Sequence, residues 1–131
     1  MATGAANANG HRRRQVRRRV LASETDCALC GRRVDKSLTY MACEHGPKCK
    51  RSGCDGCVPH PGRPEVDEDI PRSRGGDPLD RRNCHLLHRA CNQFKSNMTL
   101  AEARAKLTSG DSRPDLAAPA PRPVVTASTG W

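Results

Sequence analysis

The tightest limit on this chain is a shortage of material for a core. Its 131 residues include nine Leu, seven Val, one Ile and one Phe. These 18 side chains fall below the roughly 20% at which a packed interior becomes doubtful. A foldable stretch of about 80 residues with almost no aromatics needs disulfides or a metal to hold it. Eight cysteines supply the means. No apolar run is long enough to cross a membrane, and the opening MATGAANANGHRRRQVRRRV lacks the apolar middle of a secretory signal. The expectation is a reducing cytosol, where Cys-x-x-Cys pairs bind metal more often than they form bridges.

The net charge of +9 is spread unevenly, since Arg12, Arg13, Arg14, Arg17, Arg18 and Arg19 crowd the first 23 residues and no acid offsets them. Such a cluster is an electrostatic footprint for nucleic acid, although basic arms also serve as solubilising tails.

Composition divides the chain into a basic arm at residues 1–22, a small domain at 23–107 and a tail at 108–131. Residues 1–10 are small and polar and are expected to be disordered, while 11–22 form a helix with Val16, Val20 and Leu21 on one stripe. The tail is rich in Pro, Ala and Ser and is expected to stay disordered, because it cannot bury enough surface to offset ordering entropy. Within the domain, the pattern predicts a strand over residues 65–68, a loop over 71–80 and a returning strand over 83–87. A helix over 88–97 follows, and Thr99-Leu100-Ala101-Glu102 has the form of a capping box opening a last helix at 100–107.

Two ligand pairs suggest a staple. Cys27 and Cys30 sit on a knuckle that Gly31 allows to turn tightly, and His88 and Cys91 lie three apart at a helix start. Together they make a tetrahedral set of the donors Zn²⁺ prefers. The rival reading is a surface histidine and buried thiols. Residues 43–62 form a Cys-rich insertion with no apolar pattern, where Cys43, Cys49, Cys54 and Cys57 are a candidate second zinc site. A mixed set using His45 or His60, a disulfide, or a loose loop are the alternatives. Cys84 is left over and reads as a buried small apolar residue.

The run Val66-Asp67-Glu68-Asp69-Ile70-Pro71, the Gly75-Gly76 loop, Asn83, and His88-Arg89-Ala90-Cys91-Asn92 with Lys95 resembles the core of the HNH endonuclease family. With Cys27-Ala28-Leu29-Cys30 upstream, it resembles the zinc-stapled branch found in bacteriophages and bacteria, over residues 20–98. The resemblance implies a small α+β fold of low regular-structure content, with a ββα-metal (His-Me finger) core. It also implies a Cys where His88 stands, a change that keeps the zinc.

Carried over by position, Asp67 and Asn92 would hold a catalytic Mg²⁺ or Mn²⁺. Asn83 would bond backbone across the loop and orient the base. The departure is Glu68, which stands where the family has its first histidine. A carboxylate with an ordinary pKa near 4.3 is a weaker base than imidazole unless its surroundings raise it. Glu68 is the expected base, with His85 or His60 as lesser candidates. Arg72, Arg74, Arg81, Arg82, Arg89 and Lys95 would offset the acids and hold the DNA backbone. The implied activity is metal-dependent hydrolysis of DNA phosphodiester bonds in a bacterial cytoplasm, alongside a phage terminase or in host restriction or mobile elements. The alternative is an inactive zinc-binding nucleic-acid-binding protein on the same fold. A redox-sensing cysteine protein fits the Cys-x-x-Cys pairs but not the Asp67/Asn92 arrangement.

Overall fold

An arginine-rich segment can join a core only if its few apolar side chains share a stripe, and Val16 and Val20, four apart, do. In the computed structural model, which describes residues 2–41, 58–110 and 113–117, both lie on helix α1 (Ala2–Ser23). They are 8% and 0% exposed, inside the core, while the six arginines face solvent. The arm is therefore a docked element. Its helix starts well before residue 11 and crosses residues expected to be disordered. Alanine has the highest helix propensity, and a nucleated helix adds one hydrogen bond per residue. The C-terminal end of α1 is fixed by Lys36 Nζ, which donates to Leu21 O at 2.5 Å. Glu24 then pairs with Arg81 at 2.8 Å and accepts from Leu86 N at 3.0 Å.

Strands β1 (Pro64–Glu68) and β2 (Cys84–His88) pair antiparallel, with Glu65 opposite Leu87, Val66 opposite Leu86, Asp67 opposite His85 and Glu68 opposite Cys84. Register partners share a face. Val66, Glu68, Cys84 and Leu86 thus look one way, toward α1, and Glu65, Asp67, His85 and Leu87 look the other, toward helix α2 (Arg89–Lys95). Leu86 and Leu87 are 0% and 1% exposed, so β2 is covered on both sides. This strand is the centre of the small core.

The order strand, loop, strand, helix agrees with the sequence expectation, with boundaries moved by a residue or two. His88 ends β2 and is the N-cap of α2 rather than part of its first turn, and α2 stops at Lys95 because Ser96 takes φ 50°. The loop between the strands turns through a 3₁₀ segment (Arg72–Arg74) and Gly75 at φ 93°. Gly76 has no substitute here: a Cβ would fall 1.6 Å from the Ile70 carbonyl oxygen. Asn83 closes the loop, its amide accepting from Ile70 N at 3.0 Å and donating to Ile70 O at 3.1 Å and Asp77 O at 3.2 Å.

Helix α3 (Leu100–Thr108) opens on the full capping box, with Thr99 Oγ1 accepting from Glu102 N at 3.2 Å and Glu102 Oε1 accepting from Thr99 N at 2.8 Å. Such a cap contributes roughly 0.5–2 kcal/mol. It seats Leu100 and Ala103 in the core. Arg104 donates twice to Ala28 O, at 3.0 and 2.6 Å, tying α3 to the first cysteine knuckle. Within the expected tail, Leu116 packs back against the core and Pro114 O accepts from Arg32 at 3.4 Å. Leu116 is the apolar anchor that the compositional argument for the tail passed over. Among the described residues no helix is long and apolar enough to cross a membrane.

Candidate metal centre and acidic cleft

The first knuckle folds on its own backbone. Cys27 N donates to Arg32 O at 2.8 Å, Gly31 N donates to Cys27 O at 2.9 Å, and Gly31 takes φ 77°, which glycine adopts without steric cost. Ala28 N donates to Leu86 O at 2.8 Å, so the knuckle lies along β2 and next to its end. There Cys27, Cys30, His88 and Cys91 bring their donor atoms within 4.8 Å of one another. His88 Nδ1 lies 3.5 Å from Cys30 Sγ and 3.7 Å from Cys91 Sγ. A tetrahedral zinc with bonds of about 2.0–2.3 Å separates its donors by roughly 3.5 Å, so the cage has the right size.

Second contacts fix the histidine. His88 Nε2 is 3.0 Å from Arg33 O, and a carbonyl can only accept, so Nε2 carries the proton and Nδ1 presents a lone pair to the three sulfurs. The hydrogen bond from Cys91 pulls the Cys27 thiol down to about 4, helped by backbone amides, while the same contact and burial push Cys91 up. One thiolate is thus held by its neighbours, and a divalent ion would ionise the rest. Three Cys and one His form a site that can hold a metal such as zinc, closed on all four sides as a structural site is. Among the described residues no other group of His, Cys, Asp and Glu converges so closely. The proposed second site at Cys43, Cys49, Cys54 and Cys57, with His45, lies outside the described residues. Cys84 is 3% exposed and its thiol is raised to about 11 by burial, as befits a packed, unreactive side chain.

The three consecutive acids take different partners, although the Asp67 and Glu68 carboxyls remain in contact. Asp67 Oδ2 accepts from Lys95 Nζ at 2.8 Å. Asp69 Oδ1 lies 2.6 Å from His85 Nδ1. Glu68 turns toward α1, in a cleft of about 190 Å³ lined by Arg13, Arg14, Val16, Arg17, Val66, Asp67, Glu68, Pro78 and Cys84. Burial raises the Glu68 carboxyl above its ordinary range, and the Asp67 carboxyl beside it raises it further. A backbone amide and the Arg13 charge pull the other way.

Asn92 stands one turn before Lys95 on α2 and donates Nδ2 to Glu65 Oε1 at 2.9 Å, which turns its Oδ1 away from Glu65. Arg89 joins the same carboxylate at 2.9 Å. Asp67 and Asn92 each carry an oxygen of the kind a hard divalent ion accepts, one carboxylate and one amide. Each residue is also engaged by a protein partner. Glu65 and the Lys95 pairing are the elements sequence reasoning missed. Their only signal was the i, i+2 spacing of acids on a strand opposite donors at i, i+3 and i+6 on a helix.

The basic residues sort by what they touch. Lys95, expected on the DNA backbone, is instead 1% exposed, because it neutralises Asp67, and so cannot reach a phosphate. Arg74 pairs with Glu102, Arg81 with Glu24, Arg82 with Asp80 and Arg89 with Glu65. Arg72 is exposed, and the six arginines of α1 make no ion pair with a described carboxylate. In the His85–Asp69 pair the carboxylate must accept, so Nδ1 carries the proton and Nε2 has no hydrogen-bond partner among the described residues, with both side chains 30% exposed. His60 Nδ1 accepts from Gly62 N at 2.9 Å. No family model, curated protein or solved structure matches the chain.

Proposed function

We propose that this protein hydrolyses phosphodiester bonds of DNA in the manner of an HNH endonuclease, with Glu68 as the general base. The observation that carries this reading is the cleft in which a carboxyl of raised proton affinity faces Arg13, Arg14 and Arg17. A base must bind a proton firmly enough to take it from water yet be ionised at working pH, and burial beside Asp67 moves Glu68 in that direction. A phosphodiester supplies the matching charge. The guanidinium groups of α1 hold its non-bridging oxygens, while Glu68 takes a proton from water as the water oxygen attacks phosphorus. The bond from phosphorus to the leaving sugar oxygen breaks, and that oxygen takes a proton from solvent. Asn83 braces the loop that follows Glu68. On this reading Asp67 and Asn92 would hold Mg²⁺ or Mn²⁺, which would supply charge stabilisation of the leaving oxygen.

A second reading has its own observation. Asp67 is bound by Lys95 and Asn92 by Glu65, an arrangement that suits a zinc-stapled nucleic-acid-binding protein without catalysis. Nicking of supercoiled plasmid by zinc-loaded protein, with Mg²⁺, with Mn²⁺ and with no added divalent ion, separates the two. Cleavage that Glu68→Ala reduces roughly 10²- to 10⁴-fold supports the endonuclease. DNA binding with no cleavage under any condition supports the binding protein. Cleavage unaffected by Glu68→Ala moves the base to His85, whose Nε2 has no partner among the described residues.

A further inference from the structure

We propose that Lys95 is an internal competitor for the divalent ion at Asp67, so that the catalytic ion is admitted only by displacing this lysine. The inference rests on the endonuclease reading and names how its site is regulated. Lys95 Nζ and Asp67 Oδ2 are 2.8 Å apart, and the lysine side chain is 2% exposed against 22% for the aspartate. A buried ammonium does not exchange its partner for water at no cost, so it stays on this carboxylate until another cation takes its place. The aspartate still has an open side. A cation arriving from solvent therefore meets a carboxylate whose charge is already neutralised.

The same face of α2 repeats the pattern one turn earlier, where Arg89 and Asn92 donate to Glu65. Strand acids two apart thus meet helix donors three apart, which fits the 3.3 Å rise of a strand against the turn of a helix. The charged groups around Asp67 are Glu65, Glu68 and His85 from the sheet, Asp69 just after β1, and Arg89 and Lys95 from α2. Two of these carboxylates, Glu65 and Asp67, already have a cation each.

Displacement is mechanically available. Lys95 is the last residue of α2, its stem has four rotatable carbons, and Ser96 behind it sits at φ 50°, where the helix has ended. A divalent ion and an ammonium cannot share one carboxylate oxygen without repulsion. Ion binding and lysine binding at Asp67 are consequently antagonistic, and by reciprocity each weakens the other by the same factor.

The test titrates Mn²⁺ into zinc-loaded full-length protein and reads free Mn²⁺ by electron paramagnetic resonance, without DNA. Lys95→Met and Lys95→Gln should bind Mn²⁺ roughly 5- to 150-fold more tightly than wild type, the range a site-to-site coupling of this kind carries. The gain should vanish in Asp67→Asn/Lys95→Met. Arg82→Gln, which removes an exposed charge paired with Asp80, should change affinity less than twofold. Equal affinity in wild type and both lysine variants overturns the proposal, as does an equal gain in Arg82→Gln. Should both lysine variants fail to fold, wild type still decides. Saturating Mg²⁺ must shift the nuclear magnetic resonance signal of the Lys95 ammonium, and an unmoved signal rejects displacement. Absence of nicking in every protein would sink the endonuclease reading and leave the Mn²⁺ comparison standing.

Discussion

Lys95 reaches Asp67 with its ammonium 2.8 Å from Oδ2 and its side chain 2% exposed, while the aspartate side chain keeps 22% of its surface. The two partners are therefore unequal. Asp67→Ala strands a buried ammonium, which costs about 3–5 kcal/mol. Lys95→Met leaves a carboxylate that water can still reach, so its cost should be smaller. Urea unfolding of the zinc-loaded proteins should rank Asp67→Ala as the less stable, and the reverse order would mean the pair is not held as described. For the same reason Asp67→Ala cannot serve as a clean test of catalysis, since it removes a structural partner along with a metal ligand.

The cysteine cluster should govern whether the domain exists at all. Structural zinc sites bind with about 10–16 kcal/mol of apparent free energy, more than a core of this size supplies. Cys27→Ser and Cys91→Ser should lose zinc and the near-native circular dichroism together. Elemental analysis of protein purified without chelator should give about one zinc from Cys27, Cys30, His88 and Cys91. A second equivalent would come from the cysteines of residues 43–57. Folded, zinc-free wild type would remove the staple from the account.

What sequence could and could not show follows from the range of each interaction. The cluster that can hold a metal was legible because each pair is local: Cys27-x-x-Cys30 forms a turn whatever else the chain does, and His88-x-x-Cys91 needs only the entry to a helix. The capping box Thr99–Glu102 is local in the same way. Asn83 was legible through resemblance to a motif, and the structure has it bridging the backbone at Ile70 and Asp77. Lys95 was assigned to DNA because charge alone does not say which face of α2 meets β1. The stripe Val16, Val20 was read correctly as a helix face. Its docking was not, since nothing local says whether a basic helix with two valines stands free or completes a core.

The docking of α1 changes how its arginines should be tested. Removing residues 1–20 would also remove Val16 and Val20, and burying a valine contributes about 1.5–3 kcal/mol, so truncation confounds binding with folding. Replacing Arg13, Arg14 and Arg17 by Gln leaves the apolar stripe intact. If all three meet phosphates, the slope of log affinity against log salt should fall by about 2.7, close to 0.9 for each contact. Replacing Arg18 alone, which does not line the Glu68 cleft, should change nicking at saturating enzyme little. An unchanged slope in the triple variant would make α1 a structural element that happens to be basic.

Glu68 allows the sharpest test, because its raised proton affinity makes opposite demands on stability and on activity. Its carboxyl holds a proton more tightly in the folded chain than in the unfolded one, where it has the ordinary glutamate value. Its contribution to stability is therefore fully present below that value and is lost as pH rises through the raised one. Glu68→Gln should flatten this decline in urea midpoints between mildly acidic and neutral pH. Activity runs the other way. Only the ionised carboxylate can accept a proton, so kcat/KM should rise with pH along an acid limb placed above the ordinary glutamate value. Glu68→Ala should erase that limb along with roughly 10²- to 10⁴-fold of the rate, and Glu68→His should restore activity with a limb near pH 6.5, where imidazole titrates. An acid limb that stays in place in Glu68→Ala would assign the proton to another group, and His85, held by Asp69 with Nε2 unpartnered among the described residues, is the one the geometry offers.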